Sequence, residues 1–422
     1  MLPLRLLLRR FVRRGQLSVI DHTGRRHRFG IDGARPRVAI KIHDKRLYRR
    51  LAFYPTLHVG RAYVDGALTI EEGTLADFLN LILINEQVAS RTSAGDVRRR
   101  FDGAARFAAV VNLPGRSRRN VHHHYDHTAD FYRAFLDDDL QYSCAYFYKP
   151  EISLEEAQEA KKRHIAAKLH LRPGSRVLDI GCGFGGMALF LARNYGLRVT
   201  GITLSTEQLK IAQERAARQG LTKLVEFRLE DYRHTPGTFD RIVSVGMFEH
   251  VGRPHYRRFF KRLSQLLTDD GIAVIHTIGR ETAPSPINVW MRENIFPGAY
   301  LPSLSQLAPV VEKQFYHLTD FENLRLHYAL TLNEWNRRFQ ANRERIRQLD
   351  PSQYDDRFCR MWEFYLQGCE AAFRHSGLTV FQLQLAKQIE AVPITRDYIF
   401  AEERRLMAGE AGVPARPRMA GE

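Results

Sequence analysis

The stretch VLDIGCGFGG, residues 177–186, joins an apolar run to a turn that is rich in glycine. The apolar run predicts a buried strand, and Gly181, Gly183 and Gly185 would let the backbone approach a ligand closely. The segment MALFLARNYG that follows is typical of a helix, whose first N–H groups are free to bind a ligand. The stretch therefore predicts a ligand-binding loop between a strand and a helix, with a tight turn that binds nothing as the alternative.

Apolar strands and helices alternate in the sequence after this loop. RVTGITLS (198–205), VEFRLED (225–231), FDRIVSVGMFEHV (239–251) and IAVIHTIG (272–279) are typical of strands, and helical segments separate them. Strands rich in Val and Ile with crossover helices predict an α/β fold with a doubly wound, mostly parallel, Rossmann-like sheet. Ligands of such sheets bind beyond the carboxyl ends of the strands.

The side chains around the glycine loop favour S-adenosylmethionine over a dinucleotide as the ligand. Asp179 precedes the glycines and would place a carboxylate near the cationic end of this cofactor. The arrangement resembles the first motif of class I methyltransferases, in which an acid after the next strand usually holds the ribose. Here the hydroxyls of Thr203 and Ser205 and the amide of Gln208 stand in its place, and Leu204 between them is a further candidate contact. After the third strand, Asp231 and Tyr232 suit an adenine nucleoside, unless they are ordinary loop residues.

A carboxylate and an imidazole, Glu249 and His250, follow the apolar run IVSVGMF. Glu249 is expected at the ligand edge of the sheet, close to His276 at the end of the next strand. These two side chains could bind a small anion, or its proton, and aim it at a substrate. The alternatives are that Glu249 caps the following helix and that His276 is a buried core histidine. His250 is interpreted as a structural neighbour of Glu249.

The chain divides into regions of different composition. Its front alternates short strands, turns and a helical piece, which predicts a smaller α+β domain over residues 1–96. We expect a basic linker at 97–120 and the catalytic domain at 121–400, with a Pro-rich insert at about 281–307 as a candidate cap over the site. The tail 408–422 is expected to be disordered because it is rich in Ala, Gly, Pro and Arg.

Positive charge is concentrated at the front of the chain. Residues 1–120 contain 24 Lys and Arg against 10 Asp and Glu, so they hold +14 of the net charge of +17. Such a region favours an acidic partner, either nucleic acid or an anionic membrane surface. No apolar run is long enough to span a membrane, and MLPLRLLLRRFVRR (1–14) is typical of an interfacial amphipathic helix, with an organelle transit peptide as the alternative. Four scattered cysteines predict a reducing, cytoplasmic setting.

An ordered set of motifs carries a family resemblance. The motifs are QYSCAYF (141–147), VLDIGCGFGG, GITLSTEQ, LEDYR, DRIVSVGMFEHVG, IHTIG (275–279), IFPGAYLPS (295–303) and HYALTLNEW (327–335). From about residue 125 to about residue 387, the chain resembles the cyclopropane-fatty-acyl-phospholipid synthases. The resemblance implies that the methyl group of S-adenosylmethionine goes to the cis double bond of a phospholipid acyl chain. It also implies that a bound bicarbonate ion removes a proton as the cyclopropane ring forms.

The resemblance further implies roles for particular residues. It places the bicarbonate site at Cys144, Glu249, His276 and Tyr328, with the backbone of Ile278, and cofactor contacts at Tyr142 and Ser143. Cys369 matches a family position at which a nucleophile has been considered, but on an amphipathic helix we favour packing. Cys144 could equally be an inert buried thiol, and Tyr328 a core aromatic. Phe184 stands where many members have Trp, which preserves an aromatic ring in the loop.

Competing functions share parts of this pattern. The first hypothesis is a synthase that docks on the anionic inner face of the membrane, as a peripheral homodimer, and acts on unsaturated phospholipid acyl chains. A related fatty-acid C-methyltransferase would share the site and leave a methyl or methylene branch. A nucleic-acid methyltransferase is disfavoured because the sequence contains no Asn-Pro-Pro-type motif. A lipid-binding protein without activity is disfavoured because Glu249, His276 and Tyr328 are all present. No metal is expected, and VHHHYDHT (121–128) is interpreted as part of a substrate-entry segment.

Overall fold

The front of the chain forms a small α+β unit in the computed structural model, which describes residues 1–90, 128–314 and 316–409. Its elements are α1 (Leu2–Phe11), β1 (Gln16–Ile20), β2 (Arg26–Gly30), β3 (Arg37–Ile42), α2 (Leu47–Phe53), α3 (Pro55–Val64), β4 (Leu68–Glu72) and α4 (Leu75–Ser90). The four strands form one sheet in the order β2-β1-β3-β4, in which β1 and β3 run parallel. The predicted smaller α+β domain at the front of the chain is confirmed.

A second sheet, of seven strands, forms the centre of the rest of the molecule. Its strands are β5 (Arg176–Ile180), β6 (Arg198–Thr203), β7 (Val225–Leu229), β8 (Phe239–Val245), β9 (Leu267–Arg280), β10 (His317–Asn323) and β11 (Leu378–Ala386). Their order is β10-β11-β9-β8-β5-β6-β7. The strands from β5 to β9 pair in parallel, and β11 runs antiparallel to β9 and β10. The predicted α/β fold with a doubly wound, mostly parallel sheet is therefore confirmed.

Helices connect and cover these strands. They are α5 (Ala129–Arg133), α6 (Leu154–Leu169), α7 (Gly186–Tyr195), α8 (Thr206–Arg218), α9 (Tyr256–Leu266), α10 (Val289–Asn294), α11 (Leu304–Glu312), α12 (His327–Ala341), α13 (Arg343–Leu349), α14 (Asp356–His375) and α15 (Asp397–Met407). Side-chain caps fix several helix starts. Ser153 accepts a hydrogen bond from the Glu156 N–H at the start of α6, and Ser205 accepts one from the Gln208 N–H at the start of α8.

Both faces of the seven-stranded sheet are buried. Leu178 and Ile242 belong to one apolar cluster together with α9, whereas Val177 and Val243 belong to another together with α7. Successive side chains of a strand point to opposite faces, so the central strands β5 and β8 are apolar at most of their positions. This double burial leaves the ends of the strands as the place where polar side chains can meet a ligand.

The front unit packs directly on the unit that contains the larger sheet. Gly60 of α3 lies against the indole of Trp290, and a Cβ at residue 60 would come within 2.8 Å of that ring. Arg360 of α14 donates from Nε to the carbonyl oxygen of Val64 over 2.8 Å. One apolar cluster runs from the front unit into α12 and α14. The two units therefore share a core, which includes helices that also border the site described below.

The predicted linker at 97–120, the histidines His122–His127 and the tail from residue 410 lie outside the described residues. Within the described ranges, no helix combines the length and apolar character that crossing a membrane requires. In the same ranges, no group of His, Cys, Asp and Glu side chains is arranged to hold a metal ion.

Candidate active site

A pocket lies beyond the carboxyl ends of β5, β6 and β8. Ten of the predicted cofactor residues line it: Tyr142, Ser143, Asp179, Gly181, Gly183, Thr203, Leu204, Gln208, Asp231 and Tyr232. Gly185 and Ser205, also predicted as cofactor contacts, are not among the lining residues. Gly185 instead starts α7 with a φ of 84°, where a Cβ would lie 2.6 Å from the ring of Phe227. Ser205 caps α8. Gly185 and Ser205 therefore position the helices next to the pocket and do not line the pocket themselves.

Asp179 supplies the pocket with a buried carboxylate. The residue is the fourth in β5 and pairs with Gly201 on one side and Val243 on the other. It is only 2 % exposed, and its Oδ2 has no hydrogen-bonding partner in the described part of the chain. Burial raises the pKa of this carboxyl to about 7, and the nearby charge of Lys161 lowers it in part. A buried carboxyl group with a free oxygen in a pocket wall fits the cationic end of S-adenosylmethionine.

The far side of the pocket fits a nucleoside. Thr203 Oγ1 donates to Gln208 Oε1 over 2.9 Å, so these two predicted contacts are tied to each other. Asp231 is held by Arg233, whose Nε lies 2.8 Å from Oδ1, and the ring of Tyr232 stands edge-on to a core phenylalanine. Glu230 Oε1 is buried without a partner among the described residues, and it offers an acceptor for a ribose hydroxyl.

The segment of residues 140–143 closes one side of the pocket, and α6 holds it in place. Gln158 Nε2 donates to the carbonyl oxygen of Ser143 over 3.0 Å. Lys161 Nζ donates to Ser143 Oγ over 2.8 Å and to Gln141 Oε1 over 2.6 Å. The position of Ser143 beside the pocket therefore depends on two side chains from one helix.

Glu249 lies in a short 3-10 turn, Phe248–His250, directly after β8. Its Oε1 accepts a hydrogen bond from the Ile278 N–H over 2.6 Å, while its buried Oε2 has no hydrogen-bonding partner among the described residues. Burial raises the pKa of the carboxyl to about 7, and the hydrogen bond from Ile278 opposes part of that rise. The side chain therefore binds across to β9, and the alternative in which it caps the following helix is not what the structure shows.

The sequence predicts His276 at the end of a strand, but in the structure it lies inside β9. The strand continues to Arg280 because β11 pairs with it up to that residue, but His276 stands level with Val245, where β8 ends. Its ring is 2 % exposed, and Nδ1 lies 3.1 Å from Gln382 Nε2. Burial, helped by nearby cations on α6, holds the pKa of His276 well below its usual range, so the ring is neutral.

Aromatic rings connect the cofactor segment to Tyr328, which lies at the start of α12. The ring of Tyr142 is 5.1 Å from Trp335, and the ring of Tyr328 is 5.8 Å from the same indole and 4.9 Å from Phe373. The hydroxyls of Tyr142 and Tyr365 are 2.9 Å apart. Tyr328 is thus part of a continuous aromatic wall. This position is compatible both with the predicted role in the site and with the alternative, packing in the core.

Of the two candidate cysteines, Cys144 is buried and Cys369 is partly buried. Cys144 is fully buried beside Ala145, and burial raises the pKa of its thiol. Cys369 lies on α14 against the main apolar cluster, and burial raises the pKa of its thiol to about 12. A nucleophilic cysteine needs a lowered pKa and a neighbouring base or cation. The surroundings of Cys369 therefore favour the packing interpretation.

The predicted catalytic residues are not among those that line the cofactor pocket. Cys144, Glu249, His276, Ile278, Tyr328 and Cys369 are absent from the pocket wall, but Ser143, Val245 and His250, which adjoin several of them, belong to it. His250, which the sequence suggests as a structural neighbour of Glu249, itself lines the pocket, and burial lowers the pKa of its imidazole to about 4. Lys161 was missed, because a lysine in the charged segment LEEAQEAKKRHIAAKL looks like a solvent-facing residue.

Fold and site together define a class I methyltransferase that depends on S-adenosylmethionine. The solved structure of the cyclopropane synthase MmaA2 from Mycobacterium tuberculosis matches with a TM-score of 0.60 and 32% identity, over 64% of this chain and 98% of that one. The mycolic acid cyclopropane synthase CmaA1, solved in complex with S-adenosylhomocysteine and CTAB, matches with a TM-score of 0.59 and 33% identity, over 64% of this chain and 97% of that one.

The family follows from the sequence comparisons. Residues 114–383 match the family model described as mycolic acid cyclopropane synthetase. The cyclopropane-fatty-acyl-phospholipid synthase of Escherichia coli K12 is 36% identical over 85% of this chain and 90% of its own length. A probable fatty acid methyltransferase of Pseudomonas putida is 33% identical over 84% of this chain and 88% of its own length. The chain belongs to the cyclopropane synthase family and is an enzyme that transfers a methylene unit from S-adenosylmethionine.

Proposed function

We propose that this enzyme converts the cis double bond of unsaturated acyl chains in membrane phospholipids into a cyclopropane ring, with a bound bicarbonate ion as the base. The observation that carries the proposal is the side chain of Glu249, whose buried Oε2 has no partner among the described residues and whose Oε1 binds β9 two residues beyond the neutral His276. The name of the Escherichia coli relative supports the phospholipid substrate.

The cofactor site is the best-defined part of the proposal. S-adenosylmethionine, when bound, supplies an electrophilic methyl group on a sulfonium. Asp179 would hold its cationic end, and Asp231 and Tyr232 would border its nucleoside. Tyr142 and Ser143 line the pocket on the other side, where they would help to exclude water and to hold the methyl donor for attack by a poor nucleophile such as an alkene.

A proton must leave the transferred carbon before the ring can close. The orientation of Gln382 fits a His276 ring that accepts at Nδ1 and donates from Nε2. A carboxylate oxygen of Glu249 that accepts and a ring N–H that donates would together hold bicarbonate, which is both a donor and an acceptor. Bicarbonate, when bound, supplies the base. Burial raises the pKa of Glu249 to about 7, so its protonation also responds to pH near neutrality.

The aromatic wall supports a reaction through a carbocation. Methyl transfer to an alkene leaves a positive charge on the acyl chain, and the face of Tyr328 could stabilise it by cation–π attraction of about 2 kcal/mol when water is excluded. Trp335 and Phe373 fix the orientation of this ring from two sides. An apolar and aromatic surround also suits an acyl chain better than a polar substrate.

The front unit is proposed to dock on the cytoplasmic, anionic face of the membrane. Helix α1 exposes Leu2 and Leu6, which are 67 % and 54 % exposed, and carries Arg9 and Arg10 in its last turn. Apolar side chains next to arginines suit an interfacial helix on anionic lipid. Nucleic acid is not proposed as a partner, and a homodimer is proposed from the family resemblance.

The test is to incubate the purified protein with S-adenosylmethionine, bicarbonate and vesicles of unsaturated phospholipid, and then to analyse the acyl chains by gas chromatography with mass spectrometry. A product about fourteen mass units heavier, with ring fragments after hydrogenolysis, is the expected result for transfer of one methylene unit. Ring formation is also expected to fall when carbon dioxide and bicarbonate are removed and to return when bicarbonate is added back. Product that does not respond to bicarbonate would overturn the proposed base.

The second candidate function is that of a fatty-acid C-methyltransferase, which is supported by the similarity to the probable fatty acid methyltransferase of Pseudomonas putida. An enzyme of that kind would use the same cofactor pocket and leave a methyl or methylene branch on the chain. The same chromatograms separate the two functions, because a branched chain and a ring give different fragments. A branched product would overturn ring formation while leaving the cofactor chemistry intact.

A further inference from the structure

We propose that Lys161 is a positioning residue of the methyl-donor site, whose buried positive charge keeps Asp179 ionised and holds residues 141–143 against the bound cofactor. The inference concerns cofactor binding, which the family establishes, and it does not depend on the proposed substrate or on bicarbonate.

The first support is the unusual place of this lysine. Lys161 lies on α6, is 1 % exposed and belongs to the wall of the cofactor pocket. Its Nζ donates to two neutral oxygens, Gln141 Oε1 at 2.6 Å and Ser143 Oγ at 2.8 Å. A buried ammonium that merely fills space would be costly, because burial removes its hydration.

The second support is a comparison with other buried lysines of the same helix. Lys162 pairs with Asp139 and Glu159 at 2.7 Å each, and Lys168 pairs with Asp320 at 3.1 Å. Lys161 makes no ion pair within 4.0 Å in the described part of the chain, although it is equally buried. Lys162 and Lys168 thus form ion pairs within the fold, whereas the charge of Lys161 has no such partner among the described residues and faces the pocket.

The charges that surround Lys161 come from several elements. Asp137 and Asp139 lie in the segment before residue 140, Lys162 adjoins it on α6, and Asp179 of β5 lines the same pocket. The thiol of Cys144 and the ring of His276 also interact with Lys161, but burial keeps both of them neutral. Burial lowers the pKa of Lys161 to about 8, and the two aspartates oppose that change. The ammonium therefore stays mostly protonated at neutral pH.

The effect on Asp179 follows from its position in the same pocket wall. Burial raises the pKa of Asp179 to about 7, and among the described residues the charge of Lys161 opposes that rise. Without Lys161, more of Asp179 would be protonated at neutral pH, and it would lose its attraction for the cationic end of the cofactor. The cost should shrink at alkaline pH, where Asp179 ionises without help and where Lys161, with a pKa of about 8, loses its own charge in the wild type.

The test is to measure the Kd of S-adenosylmethionine by isothermal titration calorimetry at pH 6.0, 7.5 and 9.0. In Lys161→Gln, which keeps donors for Ser143 but removes the charge, we expect affinity at pH 7.5 to fall at least tenfold and to recover partly at pH 9.0. Lys161→Arg, which keeps a positive charge, should restore most of the affinity at pH 6.0 and 7.5. Lys168→Met, a buried and ion-paired position on the same helix, is the structural control and should leave the profile unchanged.

Circular dichroism of each variant checks folding, and Lys161→Met serves as the second neutral variant if Lys161→Gln does not fold. An unchanged or higher affinity in a folded neutral variant would overturn the inference. A loss of equal size at all three pH values would also overturn it, because that result would leave only a role in holding the segment and none for the charge.

Discussion

Replacing Glu249 with Gln is expected to stabilise the fold above neutral pH while removing most ring formation. The carboxyl is 5 % exposed, and Gln can keep the hydrogen bond from the Ile278 N–H through its own Oε1. The substitution removes the ionisation of a carboxyl group that the fold buries. The same change removes the oxygen that we propose holds the proton-removing base.

The size of the stabilisation follows from the pKa of the buried carboxyl. Burial raises it from 4.5 to about 7, which at 1.36 kcal/mol per pKa unit corresponds to about 3 kcal/mol. An unfolded chain releases this proton near pH 4.5, whereas the folded protein keeps it until about pH 7. Stability of the wild-type protein therefore falls between these pH values because of Glu249, and the full penalty is present above about pH 7. Gln carries no such penalty, so its advantage grows with pH and then levels off.

The assay is urea unfolding of both proteins from pH 4.5 to 9, followed by circular dichroism. The difference in unfolding free energy between variant and wild type should rise by about 3 kcal/mol across the series. Asp179 has a raised pKa as well, but it is present in both proteins and cancels in the difference. Glu312→Gln at an exposed helical position is the control and should give a flat difference. A flat difference for Glu249→Gln would refute the reasoning, as would full ring formation with bound cofactor.

Three further variants test neighbouring parts of the site. Asp179→Asn should weaken S-adenosylmethionine binding at pH 8 by about 10- to 100-fold, the usual worth of a hydrogen bond to a charged group, and calorimetry would measure it. Tyr328→Ala should slow product formation by about 30-fold if cation–π attraction contributes about 2 kcal/mol, while Tyr328→Phe should lose far less, and initial rates decide between them. Cys369→Ala should stay within about twofold of wild-type activity, because a thiol with a pKa of about 12 is protonated at neutral pH. A much larger loss of activity with an intact fold would support the hypothesis that Cys369 is a nucleophile.

The parts of the fold and site that could be predicted depend on local pattern. The strand, glycine loop and helix around Asp179 are consecutive in the chain, and a period of 2 or 3.6 residues shows in a short window. Glu249 could be located for the same reason, since a strand end is marked by the loss of apolar residues. Parallel strands then bring such ends to one edge of the sheet, so the position of the pocket followed from local features alone.

The parts that could not be predicted depend on contacts between distant segments. His276 was expected at a strand end, but β11, about a hundred residues later, pairs with β9 and extends it past the histidine. The burial of Lys161 depends on the packing of α6 against the segment that contains Gln141, and the helix sequence alone looks solvated. His250 enters the pocket wall only because the chain turns directly after β8. Periodicity carries no information on any of these contacts.

Two carboxyl groups whose pKa burial raises to about 7 stand at the ends of neighbouring strands, Asp179 in β5 and Glu249 after β8. Each keeps one oxygen without a partner in the described residues, and each weakens the fold when it ionises. A fold that served only stability would have paired or replaced them. The proposed reaction needs both, because the carbon that leaves the cofactor must next lose a proton. Donor and base therefore have to act on one carbon from adjacent positions, and the pairing of β5 with β8 provides that adjacency.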